Sequence, residues 1–158
     1  MGLICVDIEA SGLGPDSYPI EVAWRCELTG DQDSFLIDPA SVEGWVYWDD
    51  FAEELHGIEP ELLARQGVSA EVACERLNRL LAGKTLTCDA YDFDLFWLTR
   101  LFESQGETMT FSVQGIERFL TTEQCAEYRQ RTQYRRHRAL SDVEDQMAAL
   151  RQLLKEVA

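Results

Sequence analysis

The chain has 158 residues, of which 46% are hydrophobic and 27% charged, with a formal net charge of −15. That length fits one domain able to bury a sizeable core without covalent or metal staples, and the balance excludes a disordered chain, a collagen-like fibre and a coiled coil. No apolar run approaches the ~18 residues of a spanning helix. Asp7 and Glu9 fall where the apolar centre of a signal peptide would lie, and Val6 stands where an acylation start needs Ser or Thr. A cytoplasmic protein without membrane contact is therefore expected.

Five cysteines are scattered at positions 5, 26, 74, 88 and 125, with no C-x-x-C spacing. This argues for reduced, mostly buried thiols and against a zinc site or a disulfide framework. Charge is divided unevenly. Residues 1–128 hold 7 basic and 25 acidic residues, whereas residues 129–158 hold 7 basic and 4 acidic. A broad basic face for nucleic acid is excluded. A polyanion could be met only locally, or through metal ions that invert the local charge.

Residues 3–8 read as a strand with Leu3, Cys5, Asp7 and Glu9 on one face and Ile4, Val6 and Ile8 on the other. Both faces start apolar, which predicts a central strand covered on both sides. Strands are predicted at 20–27 and 33–38, joined by a turn at Thr29-Gly30-Asp31. The aromatic run Trp45-Val46-Tyr47-Trp48 receives no assignment, with packing favoured over base stacking. Helices follow at 60–66 and at 70–82, the latter capped by Ser69 and turning Val72, Leu77, Leu80 and Leu81 inward. A strand at 84–88 precedes a helix at 91–104 with the stripe Tyr91, Leu95, Leu98 and Phe102. A strand near 110–113, a helix near 114–130 and a last helix with the stripe Leu140, Val143, Met147, Leu150 and Leu154 complete the chain. Strands first and then helix–strand–helix predict an α/β fold, a mixed sheet flanked by helices.

Asp7-Ile8-Glu9 carries the chemistry. Two carboxylates at i and i+2 on a strand point the same way, so in a buried setting one must take a proton or a cation must hold both. A hard divalent ion, Mg²⁺ or Mn²⁺, suits oxygen ligands; the plain alternative is that the strand ends there and both acids are solvated. His137-Arg138-Ala139-Leu140-Ser141-Asp142 brings a histidine five residues before an acid. The two meet if His137 lies on a lead-in loop and Asp142 on the first turns of the helix. Ser141-Asp142-Val143-Glu144 also fits a helix capping box. Asp94, after Phe93, lies beside a core stripe, and a first-turn solvated acid explains it, Asp89 and Asp92 equally well.

In order and context these segments resemble the three motifs of the DEDDh exonucleases, the DnaQ-like branch of the RNase H-like fold. Asp7-Ile8-Glu9-Ala10-Ser11-Gly12-Leu13 is similar to the first motif, Phe93-Asp94 to the second, and His137 to Asp142, with Arg-Ala-Leu between, to the third. Tyr18-Pro19-Ile20-Glu21-Val22-Ala23, Phe35-Leu36-Ile37-Asp38-Pro39 and His56-Gly57-Ile58 resemble lesser family segments, so the likeness covers nearly the whole chain. It departs at Ala10, where Thr or Met is common, and at Ala90, where many members place Asn. Asp92 rivals Asp94 as the second-motif acid, and the following Leu95-Phe96-Trp97-Leu98 favours Asp94.

The resemblance implies one domain over 1–158 with a five-stranded RNase H-like sheet. It implies a metal-dependent 3′-to-5′ exonuclease that hydrolyses phosphodiester bonds at single-stranded DNA or RNA 3′ ends and releases 5′-mononucleotides. Two Mg²⁺ or Mn²⁺ ions would be held by Asp7, Glu9, Asp94 and Asp142. His137 would be the general base, a role that suits an imidazole at neutral pH. Asp7 would bridge the ions, Glu9 and Asp142 would serve the attacking water, and Asp94 the leaving group. Backbone near Ala10, Ser11 and Gly12 would hold the chain end, and Leu13 would wedge against its bases. Separately from the resemblance, the arginines within 129–138, Arg136 and Arg138 among them, are candidates for phosphate contact, with a solvated helix and loop paired with acidic surface as the equal alternative. A homodimer or a further protein partner is compatible with the small size. A non-catalytic binding module of the same fold, or a nuclease for short oligoribonucleotides, stands as the alternative.

Overall fold

The computed structural model describes residues 2–157. Five strands form one mixed sheet: β1 (Ile4–Ala10), β2 (Pro19–Cys26), β3 (Gln32–Leu36), β4 (Thr85–Cys88) and β5 (Ser112–Gly115). Their order is β3-β2-β1-β4-β5, so β1 is central, as its two apolar faces predict. β2 pairs antiparallel with β1 and β3, whereas β4 runs parallel to β1 and β5 parallel to β4. Six helices flank the sheet: α1 (Asp50–His56), α2 (Pro60–Gln66), α3 (Ala70–Leu81), α4 (Tyr91–Ser104), α5 (Thr122–Arg131) and α6 (Ala139–Val157).

The alternation of β1 builds two cores. Ile4, Val6, Ile8 and Ala10 pack with Leu77, Leu81, Leu98 and Phe102 on one side. Cys5 and Ala23 pack with Val143, Met147 and Leu150 on the other. All five cysteines are free, and burial pushes the thiols of Cys5 and Cys74 up to about 12, as inert core groups. The β2–β3 turn closes as expected, with Gly30 at φ 74° donating its N–H to Cys26 O. No helix among the described residues is long and apolar enough to cross a membrane.

Several boundaries and faces differ from the periodicity. β1 runs two residues further, so Asp7 and Glu9 lie within the strand and not at its frayed end. Helix α1 was not predicted: seven residues are too few to show a period, and its identity rests on local capping by Asp49 and the αL conformation of Gly57. Ser69 caps α3 as expected, but Val72 is exposed and the buried stripe is Ala70, Ala73, Cys74, Leu77 and Leu81. In α4 the buried face is Asp94, Trp97, Leu98, Leu101 and Phe102; Tyr91 is exposed and Leu95 half-buried. The predicted helix at 114–130 is shortened, because β5 extends to Gly115 and a reciprocal cap between Thr121 and Gln124 starts α5. α6 begins at Ala139, which places Ser141 inside the helix and removes it as a cap. Leu153 replaces the exposed Leu154 at the end of the α6 stripe. Within the aromatic run, Trp45 stacks on Tyr18 at 5.1 Å and is buried, whereas Tyr47 stays on the surface against Gly12.

Candidate active site

Strands β1, β4 and β5 are parallel, so their carboxyl ends share one edge of the sheet, the usual place for a ligand site in such folds. The register Cys5↔Thr87 sets Asp7 level with Asp89, the residue after β4. Asp94 enters from the first turn of α4 and Asp142 from the first turn of α6. His137 sits on the loop before α6 with φ 56°.

These residues meet in two adjoining groups. Oxygens of Asp7, Asp89 and Asp94 lie within 4.8 Å of one another, as do ligand atoms of Glu9, His137 and Asp142. Asp7, Asp94 and Asp142 are buried. Asp7 Oδ2, Asp89 Oδ1, Asp94 Oδ2 and Asp142 Oδ2 are enclosed without a hydrogen-bond partner. Asp92 is exposed on the outer face of α4, apart from the buried Asp94.

Burial, reinforced by Asp94, Glu9 and Asp89, raises Asp7 well above the usual carboxylate range. Burial and the charge of Asp89 do the same to Asp94. Burial and neighbouring Asp142 push Glu9 up to about 9, and burial raises Asp142. Oxygen donors, convergence and unsatisfied buried atoms fit a hard divalent cation better than any solvated arrangement.

The sign of the pH dependence follows. Glu9 binds its proton in the folded state up to about 9 but only up to about its ordinary 4.5 when unfolded. Its contribution is complete below the unfolded value and is lost as pH rises through the folded one. The melting temperature of ion-free protein is therefore expected to fall across that window, and saturating Mg²⁺ to flatten the fall. Thermal melts in chelator and in Mg²⁺ check this; parallel curves would contradict it.

Around the acids, Ala10, Gly12 and Leu13 join Glu9, His137, Phe51, Leu55 and Trp97 in lining a groove of about 260 Å³. Leu13 and Phe51 stand well exposed at this groove. A Cβ at Gly12 would come within 2.7 Å of Tyr47 Cε1, so a side chain there would push the Tyr47 ring aside. Ser11 is fully buried, and its hydroxyl accepts from Tyr18 N at 3.1 Å. Arg136 and Arg138, expected toward phosphates, face acids of this chain instead. Arg138 forms a fork on buried Glu21, which also accepts from Ala139 N at 2.8 Å. Arg136 pairs with Asp145, and its backbone N–H donates to Asp142 Oδ1 at 3.2 Å. Both anchor the loop that carries His137.

Sequence reasoning did not bring Asp89 and Arg135 to this edge. Arg135 donates to Asp89 Oδ2, and its Nη1 lies 3.7 Å from Asp7 Oδ1. Asp89 stands one residue beyond the predicted strand at 84–88, and only the parallel register of that strand with β1 sets it beside Asp7.

Sheet order and flanking helices are those of the RNase H-like α/β fold. No protein-family model matches the chain, and no curated protein matches it. Solved structures do. E. coli exonuclease I in complex with a dA16 oligonucleotide is 16% identical at a TM-score of 0.75, covering 98% of this chain and 41% of that one. The zinc-ion-bound complex of the E. coli enzyme with single-stranded DNA is 15% identical at 0.74, covering 98% and 40%. Exonuclease I from Methylocaldum szegediense is 18% identical at 0.67, again covering 98% and 40%. The chain thus spans about two fifths of the length of these solved chains.

Proposed function

We propose that this protein is a metal-dependent 3′-to-5′ exonuclease that hydrolyses phosphodiester bonds at the 3′ ends of single-stranded DNA or RNA. The observation that carries the reading is the convergence of Asp7, Glu9, Asp94, Asp142 and His137 at one sheet edge, with carboxylate oxygens buried and unsatisfied. The shared fold with exonuclease I, solved with single-stranded DNA, supports it.

Asp7, Glu9, Asp94 and Asp142 would hold two Mg²⁺ or Mn²⁺ ions. When bound, such ions lower the pKa of water and compensate charge on both sides of an in-line displacement. They also reconcile a strongly acidic chain with an anionic substrate. His137 shares a group with Glu9 and Asp142 and is half-exposed, so a ring nitrogen can take a proton beside these carboxylates and pass it to solvent. The groove between Leu13 and Phe51 offers an apolar slot next to Glu9, of a size and character suited to a terminal nucleobase. Ala10 and Gly12 bring backbone to the same place, and Leu13 stands ready to wedge against the base.

The test is incubation of 5′-labelled DNA and RNA oligomers with protein in Mg²⁺ or Mn²⁺. Shortening from the 3′ end with release of 5′-mononucleotides is expected; intact oligomers of both kinds in both ions would overturn the reading. A length series distinguishes a general exonuclease from one confined to short oligoribonucleotides. Phe51→Ala is expected to raise KM for oligomer about 5- to 100-fold with kcat largely kept, the scale of one base–aromatic contact. Steady-state kinetics check this, and an unchanged KM would remove Phe51 from the substrate groove.

A further inference from the structure

A cation of the chain itself already reaches the acidic edge. Arg135 lies between α5 and α6, and its guanidinium donates to Asp89 Oδ2 while Nη1 approaches Asp7 Oδ1 at 3.7 Å. The Asp89 side chain is only 2% exposed. Its Oδ2 also accepts from the hydroxyl of buried Tyr128 at 2.8 Å. Its other oxygen, Oδ1, is enclosed and unpartnered, and Asp89 forms a three-acid group with Asp7 and Asp94. Asp89 therefore has one oxygen satisfied by Arg135 and Tyr128 and one left bare, in a residue grouped with Asp7 and Asp94.

We propose that Asp89 adds a fifth carboxylate to the metal centre, and that Arg135 is its resident counter-cation, which a divalent ion must displace. The inference rests on the metal-centre reading of the same site. Two positive centres drawing on the same carboxylates repel strongly in a buried setting. A guanidinium donating to Asp89 beside Asp7 also occupies lone pairs an ion would use. Ion binding and the Arg135 contacts are then mutually antagonistic, and by linkage each weakens the other by the same factor.

The test is Mn²⁺ titration by calorimetry, with free Mn²⁺ counted by electron paramagnetic resonance, on wild type, R135Q and D7N. R135Q is expected to bind Mn²⁺ about 10- to 100-fold tighter than wild type, the usual span of a coupling between two sites. Loss of a merely structural arginine would loosen the loop and weaken binding. Unchanged or weaker Mn²⁺ affinity in R135Q, with D7N abolishing binding, overturns the displacement while leaving the metal centre standing. Absence of Mn²⁺ binding in both wild type and R135Q overturns both. Binding in R135Q alone supports the proposal. Should R135Q melt too low for calorimetry, its Mn²⁺-induced rise in Tm is expected to exceed that of wild type, and an equal or smaller rise counts against displacement. In wild type, the Arg135 Nε–H resonance is expected to shift on adding diamagnetic Mg²⁺; an Arg135 signal unmoved at saturating Mg²⁺ contradicts the proposal even if R135Q fails to fold.

Discussion

Asp7→Asn is expected to leave no more than about one thousandth of wild-type turnover, the upper range for removing one electrostatic element from a preorganised site, while leaving ion-free stability equal or higher. The two effects have one cause. Asp7 is 4% exposed and faces Asp94, Glu9, Asp89 and Asp142, so its charge is costly without a cation and indispensable with one. The amide keeps the volume and removes the charge. Gln146 Nε2, 3.4 Å from Asp7 Oδ1, can donate equally to an amide oxygen. Single-turnover cleavage and thermal melts, taken on the same preparation, check both halves. Turnover within tenfold of wild type would remove Asp7 from the centre, and a lowered ion-free Tm would make it a structural acid.

His137→Ala is expected to lower kcat by about 10²- to 10⁴-fold, the usual contribution of a general base, with Mn²⁺ affinity changed only slightly. The group Glu9–His137–Asp142 offers the ring two roles, proton acceptor or ligand. The pair of measurements separates them, because a ligand loses affinity and turnover together. The loop geometry adds a control. At φ 56°, His137 holds a conformation that a side chain disfavours, fixed by Arg136 N on Asp142 and by Arg138 and Ala139 N on Glu21. His137→Gly relaxes the backbone but removes the base, so it is expected to fold at least as well and to turn over as poorly as His137→Ala. Recovery of activity by the glycine variant would assign His137 to loop shape rather than proton transfer.

The central strand was legible because Ile4, Val6 and Ile8 alternate with Cys5 and Asp7, and an apolar pattern on both faces admits little else. Asp7 and Glu9 stood out by residue type and spacing, whereas Asp94 and Asp142 were singled out only by the resemblance to the exonuclease motifs. The faces of α3 and α4 were not, because aromatic and β-branched residues at Val72, Tyr91 and Phe93 dilute the period and tertiary packing decides which side is covered. Asp89 was hidden for another reason. As a lone acid after a short strand it carries no local signal, and only the parallel register of β1 with β4 brings it beside Asp7. The arginines show the same limit. Arg135, Arg136 and Arg138 lie within four residues, yet each goes to a separate acid, distant in sequence for Arg135 and Arg138, which local sequence does not show.

The central claim is that acids far apart in the chain converge to hold divalent cations beside His137. Crystals grown with Mn²⁺ and a nucleoside 5′-monophosphate, measured at the manganese absorption edge, test it most directly. Anomalous peaks are expected among Asp7, Glu9, Asp94 and Asp142, with the phosphate against them and the base between Leu13 and Phe51. A map at saturating Mn²⁺ with no peak in that cluster, or with Asp94 and Asp142 turned away from Asp7, would contradict it.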